Sequence, residues 1–180
     1  MKKIIIILVL AISPIGLIAQ TAEKNLSMTR KEKRNVEIEK QYQFNKYMVE
    51  NRDFVLEADR LQDRRGNLAN VSSTINFVAV DSATAIIQIG SNYRFGPNGV
   101  GGVTAKGKIS NWKLVENQKQ KSFSLSFNVM TSIGIYDLYF MIVPSNSSSA
   151  RLTGLRAGEL TFIGNMIPYS ESGVFEGQSL

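Results

Sequence analysis

A strict alternation of apolar and polar residues restricts the second half of this chain to β-structure. In the segment SFSLSFNVM, one parity holds Phe123, Leu125, Phe127 and Val129, and the other holds serines and an asparagine. Successive side chains point to opposite faces in a strand, whereas apolar positions recur every three or four residues in an amphipathic helix. The pattern therefore predicts a strand with these four apolar side chains buried on one face.

Similar segments recur between residues 53 and 167. The predicted strands read DFVLEADRL, STINFVAV, ATAIIQI, GKISNWKLV, SFSLSFNVM, YDLYFMIV, ARLTGL and ELTFIGNMI. Most are joined by short turns, and strands joined so closely pair antiparallel, because a parallel crossover needs about a dozen residues or more. The predicted fold is mainly β: an antiparallel meander of about eight strands, closed into a barrel or stacked as a two-sheet sandwich.

One helix is predicted to precede the strands. Thr29 and Glu32 have the spacing of a capping box, in which each side chain accepts a hydrogen bond from a backbone N–H at the helix start. No Gly or Pro interrupts the twenty residues that follow, so the helix is predicted over residues 29–50. The strand YDLYFMIV is apolar on both faces apart from Asp137, and we expect this helix or a second sheet to cover its outer side.

The N-terminus has the parts of a secretory signal peptide. Lys2 and Lys3 precede a long apolar run, which Pro14 and Gly16 interrupt before it reaches the ~20 residues of a membrane-spanning helix. Cleavage is predicted after Ala19, leaving no stable membrane span and placing the protein in the periplasm of a Gram-negative bacterium or outside the cell. The predicted organisation is a signal peptide over residues 1–19, a flexible lead over residues 20–28 and a single β-rich domain over residues 29–180.

Two residue types are missing from the chain: it contains no histidine and no cysteine. Nucleophile systems that need an imidazole base, and the usual zinc sites, therefore cannot be built, and we predict neither a metal nor a cofactor. The 21 Lys and Arg exceed the 15 Asp and Glu by six, and loss of Lys2 and Lys3 would reduce this excess to four. So small a charge does not favour a nucleic-acid partner.

The segment GVTAKGKI, Gly102 to Ile109, resembles a phosphate-binding loop but lacks its final Ser or Thr. A phosphate loop opens a helix, whose first backbone N–H groups hold the phosphates. Here the following residues place Ile109, Trp112 and Leu114 at strand-like spacing. We therefore predict that Gly107 and Lys108 belong to a strand and that the segment does not bind nucleotides.

The glycine-rich segment FGPNGVGGVTAKG is predicted to form a long hairpin loop, because Pro, Asn and Gly favour turn conformations. Loops on rigid β scaffolds often carry function. The predicted ligand-binding residues are Tyr93, Arg94 and Asn98, on the rim at one end of the sheet.

Carboxylates are the remaining catalytic candidates. Asp53, Glu57 and Asp59 share one parity with Val55 in the first predicted strand. This pattern is typical of the solvated face of a strand, so no catalytic residue is predicted.

Several segments together resemble a known family of secreted bacterial proteins. They are FVLEADR, INFVAVD, ATAIIQIG, GPNGVGGVTAKGKI and GVFEG, and the most specific is the Asn-Gly-x-Gly-Gly loop with its following strand, Asn98 to Lys108. The chain resembles domain-of-unknown-function family 4251 from about Arg30 to its end. The resemblance implies a single exported β-rich domain from Gram-negative anaerobes, and it implies no activity, cofactor or catalytic residue.

The sequence favours a non-catalytic envelope protein that binds a small molecule or an envelope protein through its β domain. The alternative is a carboxylate-dependent enzyme acting on saccharides or envelope polymers. A third hypothesis is an interaction module that docks on a partner through the charged first half of the helix. A structure would discriminate these by showing where polar groups converge.

Overall fold

The computed structural model describes residues 28–91, 101–145, 147–155 and 158–179. The predicted signal peptide (residues 1–19) and all but the last residue of the predicted lead (residues 20–28) lie outside this description. No helix in the described part of the chain is both long and apolar enough to cross a membrane.

Helix α1 spans Arg30–Asn51 and begins with the predicted capping box. The backbone N–H of Thr29 donates to Glu32 Oε2 over 2.7 Å, and the backbone N–H of Glu32 donates to Thr29 Oγ1 over 3.3 Å. The bond from the Thr29 backbone lowers the pKa of Glu32. The buried residues of α1 all lie in its second half, at helical spacing: Tyr42, Asn45, Met48 and Val49.

Nine strands follow the helix. They are β1 (Asp53–Asp63), β2 (Leu68–Asn70), β3 (Phe77–Asp81), β4 (Thr84–Ile89), β5 (Val103–Asn117), β6 (Ser122–Thr131), β7 (Gly134–Ile142), β8 (Ser148–Leu155) and β9 (Gly158–Ile167). Strands β3 to β9 pair antiparallel in sequence order, and β1 pairs with both β3 and β9. These pairings close an eight-stranded antiparallel barrel, to which β2 adds an extra strand. The predicted meander is confirmed, and its closed form is the barrel.

The barrel interior is filled by side chains. Phe123, Leu125, Phe127 and Val129 are at most 2% exposed, which confirms the predicted inward face of β6. The ring of Phe127 stacks between Trp112, at a centroid distance of 5.1 Å, and Phe140, at 5.6 Å. The described interior is thus a packed core of apolar side chains.

The second half of α1 covers the barrel end where β5 joins β6 and β7 joins β8. Tyr42 stacks on Phe123 with 5.2 Å between ring centroids, and Asn45 Nδ2 donates to the carbonyl of Val143 over 3.1 Å. The hydroxyl of Tyr42 also donates to Glu116. The helix therefore closes an end of the barrel and leaves its outer wall uncovered at β7.

The expectation that the outer side of β7 is covered is wrong. Its outward residues are all exposed: Ile135, Asp137, Tyr139 and Met141. The apolar inward face of β7 already meets the core, and a sheet that closes on itself needs no second sheet. With α1 at the barrel end, the outer side of this strand faces solvent.

Candidate functional site

A shallow groove of about 370 Å³ lies on the outer wall of strands β5 to β9. Most of the side chains that line it are polar or charged. They are Asn111, Lys113, Ser126, Asn128, Asp137, Tyr139, Arg151, Thr153 and Glu159. Because all of them project from paired strands, their positions are set by the sheet rather than by a loop.

A β-bulge in β5 places the first of these residues. The pairing of β5 with β6 shifts register between Ser110 and Lys113, and Asn111 takes a left-handed backbone with φ of 54°. Asn tolerates this conformation better than most residues. The extra residue leaves both Asn111 and Lys113 on the outer wall, while Trp112 packs against the core.

Three side chains form a hydrogen-bonded relay across neighbouring strands. Asn111 Nδ2 donates to Asn128 Oδ1 over 2.7 Å, and Asn128 Nδ2 donates to Asp137 Oδ1. Asn128 lies opposite Asp137 in the β6–β7 pairing. The relay fixes both amides relative to the carboxylate and uses only one of the two oxygens of Asp137.

A second row of side chains runs beside the relay. Ser126, Tyr139 and Arg151 lie opposite one another on β6, β7 and β8. The guanidinium carbon of Arg151 lies 5.5 Å from the centroid of the Tyr139 ring, and Arg151 Nη1 lies 4.0 Å from Glu159 Oε2. Such a contact between a cation and an aromatic face stabilises both groups at the surface.

The charges of the groove are balanced. Lys113 and Arg151 contribute two cations, and Asp137 and Glu159 contribute two anions. Among the described residues, no group of three or more acidic side chains is arranged to hold a metal ion. The groove thus offers hydrogen-bond donors and acceptors without a dominant charge.

The carboxylates of β1 lie outside the groove. Asp53, Glu57 and Asp59 point outward with Val55, as the alternation predicts, but Val55 is fully buried. Glu57 accepts a hydrogen bond from Ser172 Oγ over 2.8 Å. C-terminal residues cover this face at Val55 and Glu57, whereas Asp59 is exposed, so the predicted solvated face is solvated over only part of its length.

The predicted ligand-binding residues Tyr93, Arg94 and Asn98 lie outside the described residues. The described strands on either side of them, β4 and β5, pair through Ile89 and Val103. The interpretation of this loop as a binding rim stays a prediction.

The segment that resembles a phosphate loop in sequence forms part of a strand and does not open a helix. Gly107 and Lys108 lie within β5, as predicted. A Cβ on Gly107 would come within 2.1 Å of the Met130 carbonyl oxygen, so close strand packing explains this glycine.

Sequence patterns did not indicate Asn128, Asp137 or Tyr139 as site residues. Two signals were available. Ile109 and Trp112 are three residues apart although both pack against the core, and this spacing indicates a bulge. Asp137 was also the single polar residue of its predicted strand. Neither signal shows that β5, β6 and β7 bring these side chains together, because that depends on register between strands.

The comparisons with known proteins agree with the fold. The model of the family described as Domain of unknown function (DUF4251) matches residues 36–166. The crystal structure of a DUF4251 family protein from Bacteroides eggerthii, at 1.95 Å resolution, is 27% identical with a TM-score of 0.63, and the match covers 78% of this chain and 95% of that chain. No curated protein matches this chain significantly.

Proposed function

The chain belongs to the DUF4251 family, and from that premise we propose that it is an exported, non-catalytic binding protein of the bacterial envelope. Its ligand is a small, uncharged, polar molecule that binds in the groove over β5 to β9. One observation carries this proposal: hydrogen bonds hold the polar side chains of the groove together on rigid strands, whereas apolar side chains fill the barrel interior.

The balance of charge argues for an uncharged ligand. An anion would approach Asp137 and Glu159, and a cation would approach Lys113 and Arg151. Like charges brought together in an interface cost binding free energy and exclude wrong partners. A neutral molecule meets neither penalty.

The chemistry of the relay argues for a ligand rich in hydroxyl groups. The side-chain amides of Asn111 and Asn128 each carry both donors and acceptors, and a carboxylate oxygen accepts. Hydroxyl groups also donate and accept, so a saccharide can satisfy such a row at several points. Tyr139 and its stacked Arg151 add a flat surface for the apolar face of a sugar ring.

A carboxylate-dependent enzyme acting on saccharides is the alternative function, because the same groove contains Asp137 and Glu159. Both carboxylates contact polar partners, namely Asn128 and Arg151. A glycosidase acid instead needs an apolar setting that favours its protonated form. We therefore favour binding without turnover.

Export is proposed from the signal-peptide pattern of residues 1–19. Expression in a Gram-negative host followed by intact mass measurement tests this proposal. We expect a chain that starts at Gln20 in the periplasmic fraction. Recovery of the full-length chain from the membrane fraction would contradict export.

The binding proposal is tested by calorimetry with a panel of neutral oligosaccharides and with sulfated and amino-sugar analogues of the same chains. We expect a neutral member to bind, and its charged analogues to bind about tenfold more weakly or worse. Asn128→Ala and Tyr139→Ala should each weaken binding about tenfold, while Lys108→Ala, on β5 outside the groove, should not.

Binding that is indifferent to both groove variants would contradict the site. Release of shorter saccharides during incubation, detected by mass spectrometry, would favour the enzyme instead. Thermal melts of each variant separate a lost contact from a lost fold.

A further inference from the structure

A strip of apolar side chains lies on the outer wall of β1, β3 and β4, away from the groove. We call it the covered strip, and it consists of Val55, Phe77, Ala79 and Ile86. These residues form a cluster separate from the barrel core, and each is at most 4% exposed. Ile167 and Val174 pack against them. The covered strip is therefore buried by the C-terminal part of the chain.

Residues 168–179, which follow β9, form what we call the strap. The side chain of Gln88, at the border of the covered strip, is fully buried and binds the strap backbone. Gln88 Nε2 donates to the carbonyl of Phe175 over 2.8 Å, and Gln88 Oε1 accepts from the backbone N–H of Gly177 over 2.7 Å. A side-chain amide that pairs with both a C=O and an N–H recognises extended backbone rather than a particular side chain.

The other two hydrogen bonds of the Gln88 amide are made with residues of the barrel. Nε2 also donates to the carbonyl of Ile75 over 3.2 Å, and Oε1 also accepts from Thr104 Oγ1 over 2.9 Å. All the hydrogen-bonding positions of the amide are thus used, two by the barrel and two by the strap. The barrel contacts orient Gln88 toward its backbone partners in the strap.

Further contacts continue along the strap. The backbone N–H of Phe175 donates to the carbonyl of Thr74 over 2.8 Å. Lys106 Nζ lies 3.1 Å from Glu176 Oε1, and the backbone N–H of Lys106 donates to Ser179 Oγ over 3.3 Å. Beyond the 3₁₀ turn at Tyr169–Glu171, the strap is therefore held at several points along its backbone, as a peptide ligand would be.

Few strap side chains are buried. Gly177 is the one buried residue of the strap, and Phe175 is 62% exposed. A segment held mainly by hydrogen bonds near the surface, with few buried apolar contacts, opens more readily than a barrel strand. Its release would expose the covered strip to water, so the strip favours reoccupation by a similar segment.

From these contacts we propose that the covered strip and Gln88 form a peptide-binding groove that the strap occupies within one chain, and that the strap of a second copy can replace it. The ligand class is an extended peptide with a small apolar residue against the strip and free backbone groups opposite Gln88. Exchange of an identical element between copies is a known route to dimers. This inference is independent of the proposed saccharide groove.

The test uses the full chain and a fluorescent synthetic peptide of residues 168–179. In the parent chain the tethered strap competes at an effective concentration of order millimolar, so the added peptide should bind weakly. Val174→Asp in the chain places a charge against the apolar strip and weakens only the tethered strap. We expect the parent peptide to bind this variant at least about tenfold more tightly than it binds the parent chain.

Two modified peptides control for specificity without changing the protein. N-methylation at Gly177 removes the backbone N–H that donates to Gln88 Oε1. It should weaken binding of the peptide about tenfold or more. Gly173→Ala in the peptide should have little effect, because a Cβ at that residue would face open space. Equal binding of the two modified peptides, or equal binding of the parent peptide to both chains, would overturn the peptide groove.

Exchange between copies is tested by size-exclusion chromatography of the concentrated parent protein. We expect dimers that excess peptide converts to monomers. A chain that stays monomeric at about millimolar concentration, or dimers that the peptide does not dissociate, would contradict exchange.

Discussion

Strands β3 and β7 both read as apolar on two faces, yet they meet different surroundings. In β3, Phe77, Val78, Ala79 and Val80 are all buried. In β7 every second residue is exposed, although Ile135 and Met141 are as apolar as their counterparts in β3. The inward faces behave alike, so the difference lies entirely on the outer wall.

The position of the strap explains this difference. Strand β9 pairs with β1, which pairs in turn with β3, so the residues that follow β9 leave the barrel beside the covered strip. Strand β7 pairs with β6 and β8, and the described C-terminal residues bind at β1, β3, β4 and β5 instead. Burial of an apolar outer face is therefore favourable, but the order of the strands decides whether another segment of the protein lies close enough to cover that face.

The largest effect should come from removing a ring on the covered wall. Phe77→Ala is expected to lower the free energy of unfolding by about 3 to 5 kcal/mol, the range for a buried aromatic residue. Tyr139→Ala on the open wall, which loses its contact with Arg151, should lower it by no more than about 1 kcal/mol. Urea unfolding of both variants measures the contrast. Similar losses in the two would show that the walls do not differ as described.

An intermediate effect is expected from the buried amide. Gln88→Leu leaves the Gly177 N–H and the Phe175 carbonyl without their side-chain partner, and it should lower the free energy of unfolding by about 1 to 3 kcal/mol. Asn128→Ala removes a side chain of the open wall, where water can replace its hydrogen bonds, and should lower it by less than about 1 kcal/mol. Thermal melts compare the two, and a larger loss for Asn128→Ala would reverse the ranking.

The smallest expected effect is on the pH dependence of stability, and it arises from Tyr42 and Glu116 at the barrel end that α1 covers. The hydrogen bond to Glu116 raises the pKa of Tyr42 from 10.0 to about 12, and the same bond, with one from Lys46, lowers the pKa of Glu116 below 4.5. The raised pKa gives a contribution to stability that is complete below pH 10.0 and lost as pH rises toward about 12. The lowered pKa gives one that is present above pH 4.5 and lost as pH falls through the lowered value.

Tyr42→Phe should therefore flatten the stability profile at both ends of this pH range. Tyr47→Phe is the matched control, because Tyr47 lies exposed on the same helix. Urea midpoints measured across the pH range would test this. A Tyr42→Phe profile that parallels the parent above pH 10.0 would show that the bond to Glu116 does not stabilise the fold.

Local patterns predicted most of the fold. The capping box at Thr29 and Glu32 marked the start of the helix, and the alternation around Phe127 assigned the inward face of β6. Strand β2 was missed, because three exposed residues have no apolar period to detect. The groove was missed for a different reason: Asn111, Asn128 and Asp137 are far apart in sequence, and only the bulge and the register of three strands bring them together.

The sequence by itself determined the strands, their inward faces, the helix and the lack of imidazole and thiol chemistry, because each depends on residue type and on contacts within a few residues. The tertiary structure decided that the sheet closes, that α1 covers one end, and that one outer wall is buried while the other is open. Those outcomes depend on which strands become neighbours and on the path that the described residues take after β9. Such long-range pairings leave no period in the sequence.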